Sequence, residues 1–118
     1  MSMPINFYLG KWRITWMEMW DADYYDMEVP AYFEIRKDRS GSFQFGLMQG
    51  ELDGVPTMYP AGQRFEFTWE GSDEGEPMSG SGWLEADGAD SLQGEIRIHR
   101  GDRSRFTVRK IVARHRKK

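Results

Sequence analysis

Gly10-Lys11-Trp12-Arg13-Ile14-Thr15-Trp16 decides the fold, because Trp12, Ile14 and Trp16 alternate with Lys11, Arg13 and Thr15. A period of two places the three apolar side chains on one face of a strand and the polar ones on the other. The same alternation recurs along the chain, so strands are expected at about 11–20, 31–37, 42–53, 64–70, 78–86, 92–100 and 104–111. Between them stand Asp38-Arg39-Ser40-Gly41, Asp53-Gly54, Asp87-Gly88 and Arg100-Gly101-Asp102, sequences that make hairpins rather than helical crossovers. Seven or eight strands joined in this way form an up-and-down meander. One long aromatic face favours a sheet that closes on itself and leaves no edge. The expected fold is an all-β, single-domain antiparallel barrel.

The 118 residues, 39% hydrophobic and 14% aromatic, suffice for one core without disulfide or metal staples. The barrel is expected over 1–112, with 113–118 a basic tail. Parity assigns Trp12, Ile14, Trp16, Phe33, Ile35, Phe43, Phe45, Phe65, Phe67, Trp69, Leu84, Ile96, Ile98, Phe106 and Val108 to the interior. The run 42–53 breaks the pattern. Phe43, Phe45 and Leu47 share a face while Leu52 falls on the other, which predicts a bulge or bend near Met48 to Gly50. The segment Met1 to Leu9 is expected to form a short 3-10 turn that plugs one barrel end.

The chain has no cysteine, which excludes disulfides and thiolate chemistry and suits a reducing compartment. Its first residues lack the basic and apolar regions of a signal peptide, and no stretch reaches the roughly 20 apolar residues of a membrane helix. A soluble cytoplasmic protein is the expectation, with no membrane partner. The net charge of −3 hides an asymmetry: residues 97–118 hold ten of the sixteen Lys and Arg against one acid, Asp102. An acidic body carrying a basic end suits solvated or internally paired arginines better than a nucleic-acid surface.

Two strand ends carry the candidate site. Trp20-Asp21-Ala22-Asp23-Tyr24-Tyr25-Asp26 leaves strand one with acids among rings, and Trp69-Glu70-Gly71-Ser72-Asp73 leaves strand four in the same way. Aromatic walls with a few acids make the mouth of a small-ligand site, so Trp20, Asp21, Tyr24, Asp26, Trp69, Glu70 and Asp73 are the expected binding residues. No catalytic motif, metal-ligand spacing or cofactor fingerprint appears. Ser79-Gly80-Ser81-Gly82 lacks the lysine of a phosphate loop, and its glycines read as places where a ring approaches the backbone. His99 and Asp102 face each other across a turn, outward, with no nucleophile to complete a triad.

The Gly10-Lys11-Trp12 opening, the meander and an arginine-bearing last strand resemble the lipocalin and fatty-acid-binding barrels. That resemblance implies a tryptophan across the barrel floor with a basic residue of the last strand stacked on it, here Arg105 or Arg109 over Trp12. The strings WRITWMEMWDADYYD, GSFQFGLMQGELD, FTWEGSDEGEPMSGSGW and LQGEIRIHRGDRSRF are similar to a family of small bacterial proteins of unassigned function. This implies a bacterial, cytoplasmic, lipocalin-like barrel and no particular reaction. The function expected is non-catalytic binding of a small, partly apolar ligand at one barrel end, between the loops at 20–30 and 70–77. The alternatives are a protein interaction module or homodimer anchored by Tyr24, Tyr25, Tyr32 or Tyr59, and an enzyme using Asp21, Asp26, Glu70 and Asp73.

Overall fold

The computed structural model describes residues 5–111; the tail at 113–118 lies outside them. Eight antiparallel strands close into one up-and-down barrel: β1 (Gly10–Met17), β2 (Tyr32–Ile35), β3 (Ser40–Phe45), β4 (Met48–Tyr59), β5 (Gly62–Asp73), β6 (Glu76–Ala86), β7 (Ser91–Ile98) and β8 (Arg103–Lys110). Each strand pairs with its sequence neighbours, and β1 pairs with β8 to complete the ring. One helical turn, α1 (Ala22–Tyr25), interrupts the β1–β2 connection. No helix among the described residues is long and apolar enough to cross a membrane.

The run 42–53 is two strands, not one bent strand. Phe45 pairs with Met48, so Gly46-Leu47 is a two-residue hairpin, and Gly46 takes the positive φ of 59° that such a turn demands. The change of parity marks a reversal of the chain rather than a bulge near Met48 to Gly50. Asp53-Gly54, expected to be a turn, instead lies inside β4, which runs on to Tyr59 and turns at Pro60-Ala61. The expected loop at 70–77 is likewise mostly strand. Asp73 pairs with Glu76, and only Glu74 and Gly75 form the turn, both with positive φ.

Inward glycines explain why β4 to β7 look interrupted in sequence yet are continuous in space. Gly50 stands opposite Phe43, Gly54 and Gly82 flank Phe67, Gly80 faces Trp69, and Gly94 faces Phe106. A Cβ on Gly50 would lie 2.6 Å from the Phe43 ring, and one on Gly94 would lie 2.9 Å from Phe106. Each ring lies over the backbone of a neighbouring strand, so the interior is filled from wall to wall. At its centre Phe33 stacks on Phe106 at 4.9 Å and on Phe43 at 5.1 Å, and meets Phe67 edge-on at 5.9 Å.

Trp16 departs from the expected interior. A register shift between Ile14 and Trp16 in the β1–β8 pairing reverses the parity, so Met17 turns inward, 3% exposed, and Trp16 outward, 48% exposed. The other expected interior residues are buried, joined by Tyr8, Tyr25, Ala31, Met48, Leu52 and Leu92.

The 3-10 turn Ile5–Phe7 plugs the end at which β1 begins. Tyr8 is fully buried against Phe65, and its carbonyl accepts a 2.9 Å hydrogen bond from Trp12 Nε1. The cation over Trp12 is Lys110, with Nζ 4.6 Å from the ring centroid and donating to the Leu9 carbonyl at 2.6 Å. Arg105 and Arg109 cannot take that place, because they share the outward parity of β8 and are exposed, whereas Lys110 follows Phe106 and Val108 inward.

Replacing Phe67 by Ala should cost about 3–5 kcal/mol, and replacing Trp16 by Ala less than about 1 kcal/mol, measured by urea unfolding; equal costs would contradict the bulge. Burial, followed by the nearby charge of Glu85, raises the Tyr8 phenol above its usual 10.0, and burial followed by Asp26 raises Tyr25. A phenol kept neutral by folding contributes stability that is complete below pH 10 and falls as pH rises through its raised value. Alkaline unfolding should therefore be shallower in Tyr8→Phe than in the wild type above pH 10.

Candidate functional site

At the end opposite the plug, the β1–β2 connection folds over the barrel as a lid. Tyr24 lies on Gly46, whose missing side chain leaves room for the ring, and its hydroxyl accepts from the Leu47 amide at 3.3 Å. Trp20 packs on Phe45 at 5.0 Å and on Tyr24 at 6.3 Å. Tyr25 is buried rather than exposed, donating its hydroxyl to the Thr15 carbonyl at 3.2 Å, while its own carbonyl accepts from Gly46 N at 2.9 Å.

Asp26 fastens the lid. One carboxylate oxygen accepts from Arg13 at 2.9 Å and the other from the Ala31 amide at 2.8 Å, so both oxygens have partners within the fold. Asp21 precedes α1 as its N-cap residue and is exposed. Among the expected site residues, then, Trp20 and Tyr24 meet each other through packing and Asp26 is engaged by the lid's own backbone.

Trp69, Glu70 and Asp73 lie on β5 and do not converge with them. Trp69 points inward, 2% exposed, edge-on to Phe43 at 5.2 Å, with its Nε1 buried and without a hydrogen-bond partner among the described residues. Glu70 points outward opposite Glu51 and Ser79, and Asp73 pairs with Met48 beside the β3–β4 turn. His99 is exposed, and its turn is closed by the backbone bond from Ile98 N to the Asp102 carbonyl at 2.9 Å, with no side-chain bond between His99 and Asp102.

Of five recesses in the wall, four lie on β4 to β8 and the fifth reaches Tyr32 on β2 and Ser42 on β3, and none of the five takes a residue from 18–31. One, of about 540 Å³, is floored by Thr68 and Ser81, with Val55 and Trp83 as its apolar surface and Asp53, Glu66, Glu95, Arg97 and Arg103 along its walls. Its form follows from register. Asp53 pairs with Thr68, Thr68 with Ser81, Ser81 with Arg97, and Arg97 with Arg103, so two short hydroxyl side chains sit between an acid and two guanidinium groups. The neighbouring rung is taller: Trp83 stands between Glu66 and Glu95, with Arg64 3.8 Å and Arg105 5.3 Å from its ring centroid.

Some of these charges are spoken for. Arg64 pairs with Glu85 at 3.2 Å, Arg103 with Glu95 at 3.6 Å, and Glu66 accepts from the Tyr59 hydroxyl. The side chains of Asp53 and Arg97 make no hydrogen bond or ion pair with another described residue. Sequence reasoning passed over this groove because its residues are scattered over five strands. The available signal was the outward parity of Asp53, Thr68, Ser81 and Arg97 once the hairpins are in register.

No three His, Asp or Glu side chains converge to hold a metal ion among the described residues. Comparisons of the chain with family models, curated proteins and solved structures find no match. Replacing Asp26 by Ala should lower stability by about 1–3 kcal/mol and speed amide exchange at Gly46, where the lid is bonded. A Gly46 amide as protected as in the wild type would mean that Asp26 does not hold the lid.

Proposed function

We propose that this protein is a non-catalytic binding protein for a small, partly apolar ligand, and that the ligand sits in the outer groove over Thr68 and Ser81. The observation that carries this reading is the contrast between the two sides of the wall. Inside, stacked rings occupy the space that a lipocalin-type ligand would need. Outside, a recess of about 540 Å³ offers apolar surface beside Asp53 and Arg97, whose side chains have no partner among the described residues, which is the size and composition of small-molecule sites. The lid end expected from sequence supports the reading less well, because its rings pack on one another and on the barrel.

A second reading has its own observation. Trp16, Met19, Met27 and Val29, all in or next to the lid, are exposed by 48%, 49%, 52% and 36%, and exposed apolar groups gathered on one segment suit a protein partner. A dimer seen by sedimentation and dissociated by Met27→Glu would favour it.

The groove reading is tested by a thermal-shift screen of small compounds against the wild type, Ser81→Trp and Tyr24→Ala. A compound at about 100 times its Kd stabilises by about 2.7 kcal/mol, a rise in Tm on the order of 10 °C for a domain of this size. That rise should vanish when Ser81→Trp fills the groove and persist in Tyr24→Ala. The reverse pattern would return the site to the lid end.

A further inference from the structure

The geometry points to a linear zwitterion, the length of a tripeptide with free termini, as the class of ligand that the groove accepts. This rests on the groove being the binding site and adds the ligand's charge pattern. One rung of the sheet reads Asp53, Thr68, Ser81, Arg97, Arg103 in unbroken pairing. A carboxylate stands at one end, guanidinium groups at the other, and two hydroxyls between.

Asp53 and Arg97 are exposed and have no partner among the described residues, although opposite charges lie on neighbouring strands. They are too far apart to pair with each other, since three strand spacings put about 14 Å of sheet between their backbones. An extended tripeptide spans about 10 Å, and the flexible Arg97 stem covers the remainder. A ligand laid along the rung places its ammonium at Asp53 and its carboxylate at Arg97, where guanidinium can bind it with two parallel hydrogen bonds. Thr68 and Ser81 each donate and accept, so they suit the alternating N–H and C=O groups of a peptide backbone. Val55 and Trp83, on the adjoining rung and lining the same recess, give small apolar side chains a surface to cover.

The complementary charges also decide against simpler ligands. A fatty acid would leave Asp53 facing a hydrocarbon chain, and a polyamine would bring a like charge to Arg97. Each leaves one wall of the groove unmatched or repelled.

The experiment is a calorimetric or NMR titration of the full chain with trialanine, N-acetyl-trialanine, trialanine amide and a neutral blocked peptide carrying neither end charge. Saturable binding of trialanine is expected, with a loss of about tenfold on blocking either end. Arg97→Gln should remove the penalty for amidation, and Asp53→Asn the penalty for acetylation. Both side chains are exposed and have no partner among the described residues, so circular dichroism should report wild-type folding. Equal affinity for all four peptides, or discrimination unchanged in both variants, would overturn the zwitterion while leaving the groove as a site. If no peptide binds but a neutral apolar compound gives a thermal shift lost in Ser81→Trp, the zwitterion is refuted and the groove reading stands. If neither peptide nor compound binds there, both readings fall.

Discussion

The structure depends on aromatic rings lying over glycines of neighbouring strands on the inside of the barrel. Phe43 over Gly50, Phe65 beside Gly54, Phe67 against Gly82 and Phe106 against Gly94 are the same contact repeated around the wall. Gly in a strand loses more conformational freedom on folding than other residues and offers no side chain to bury. Here the ring takes the space a Cβ would fill, so the area missing from one strand is supplied by its neighbour. Barrels with small diameters have interiors just wide enough for side chains, and five inward glycines let five large rings share that width without overlap. The plug completes the arrangement: Tyr8 closes on Phe65, and Lys110 fastens the turn to Trp12 by lying over its ring while bonding to the Leu9 carbonyl.

A filled interior shifts recognition to the outer wall. The inward glycines named above lie on β4, β6 and β7, and the outward positions of β5 and β6 between them hold Thr68, Ser79 and Ser81 where the outer recesses run. Short side chains outside, flanked by Glu66 and Trp83 on the next rung, form a depression on a surface that would otherwise be convex. Both signs of charge meet at the groove: Asp53 and Glu66 come from β4 and β5, Glu95 and Arg97 from β7, and Arg103 from β8. The lid, in contrast, uses its polar groups on itself, with Asp26 between Arg13 and Ala31 and the Tyr24 hydroxyl on Leu47.

Much of the architecture was legible because alternation is a strong signal when one face is buried. The barrel, its meander order and fourteen inward residues follow from parity alone, and the breakdowns have separate physical causes. Inward glycines carry no hydrophobicity, so Gly50 and Gly54 hid the second half of the third hairpin, and Asp53-Gly54 imitated a turn where a ring needed room. The bulge near Thr15 left no mark in the residues themselves, which is why Trp16 was expected inside. Lys110 is the opposite case: the parity of Phe106 and Val108 places position 110 inward, while Arg105 and Arg109 belong to the outward set. The groove was illegible for want of register, since Asp53 and Arg97 become neighbours of one rung only after four strands are aligned.

The most direct test of the filled interior is xenon binding followed by NMR or by diffraction under xenon pressure. Xenon enters apolar cavities that stay dry in water, so it reports empty space without needing the natural ligand. The packing described above predicts no saturable xenon site among Phe33, Phe43, Phe67 and Phe106, and at most weak, non-saturating shifts at the outer wall near Val55 and Trp83. A saturable site surrounded by those four rings would mean that the barrel holds a cavity, and would return the ligand to its interior.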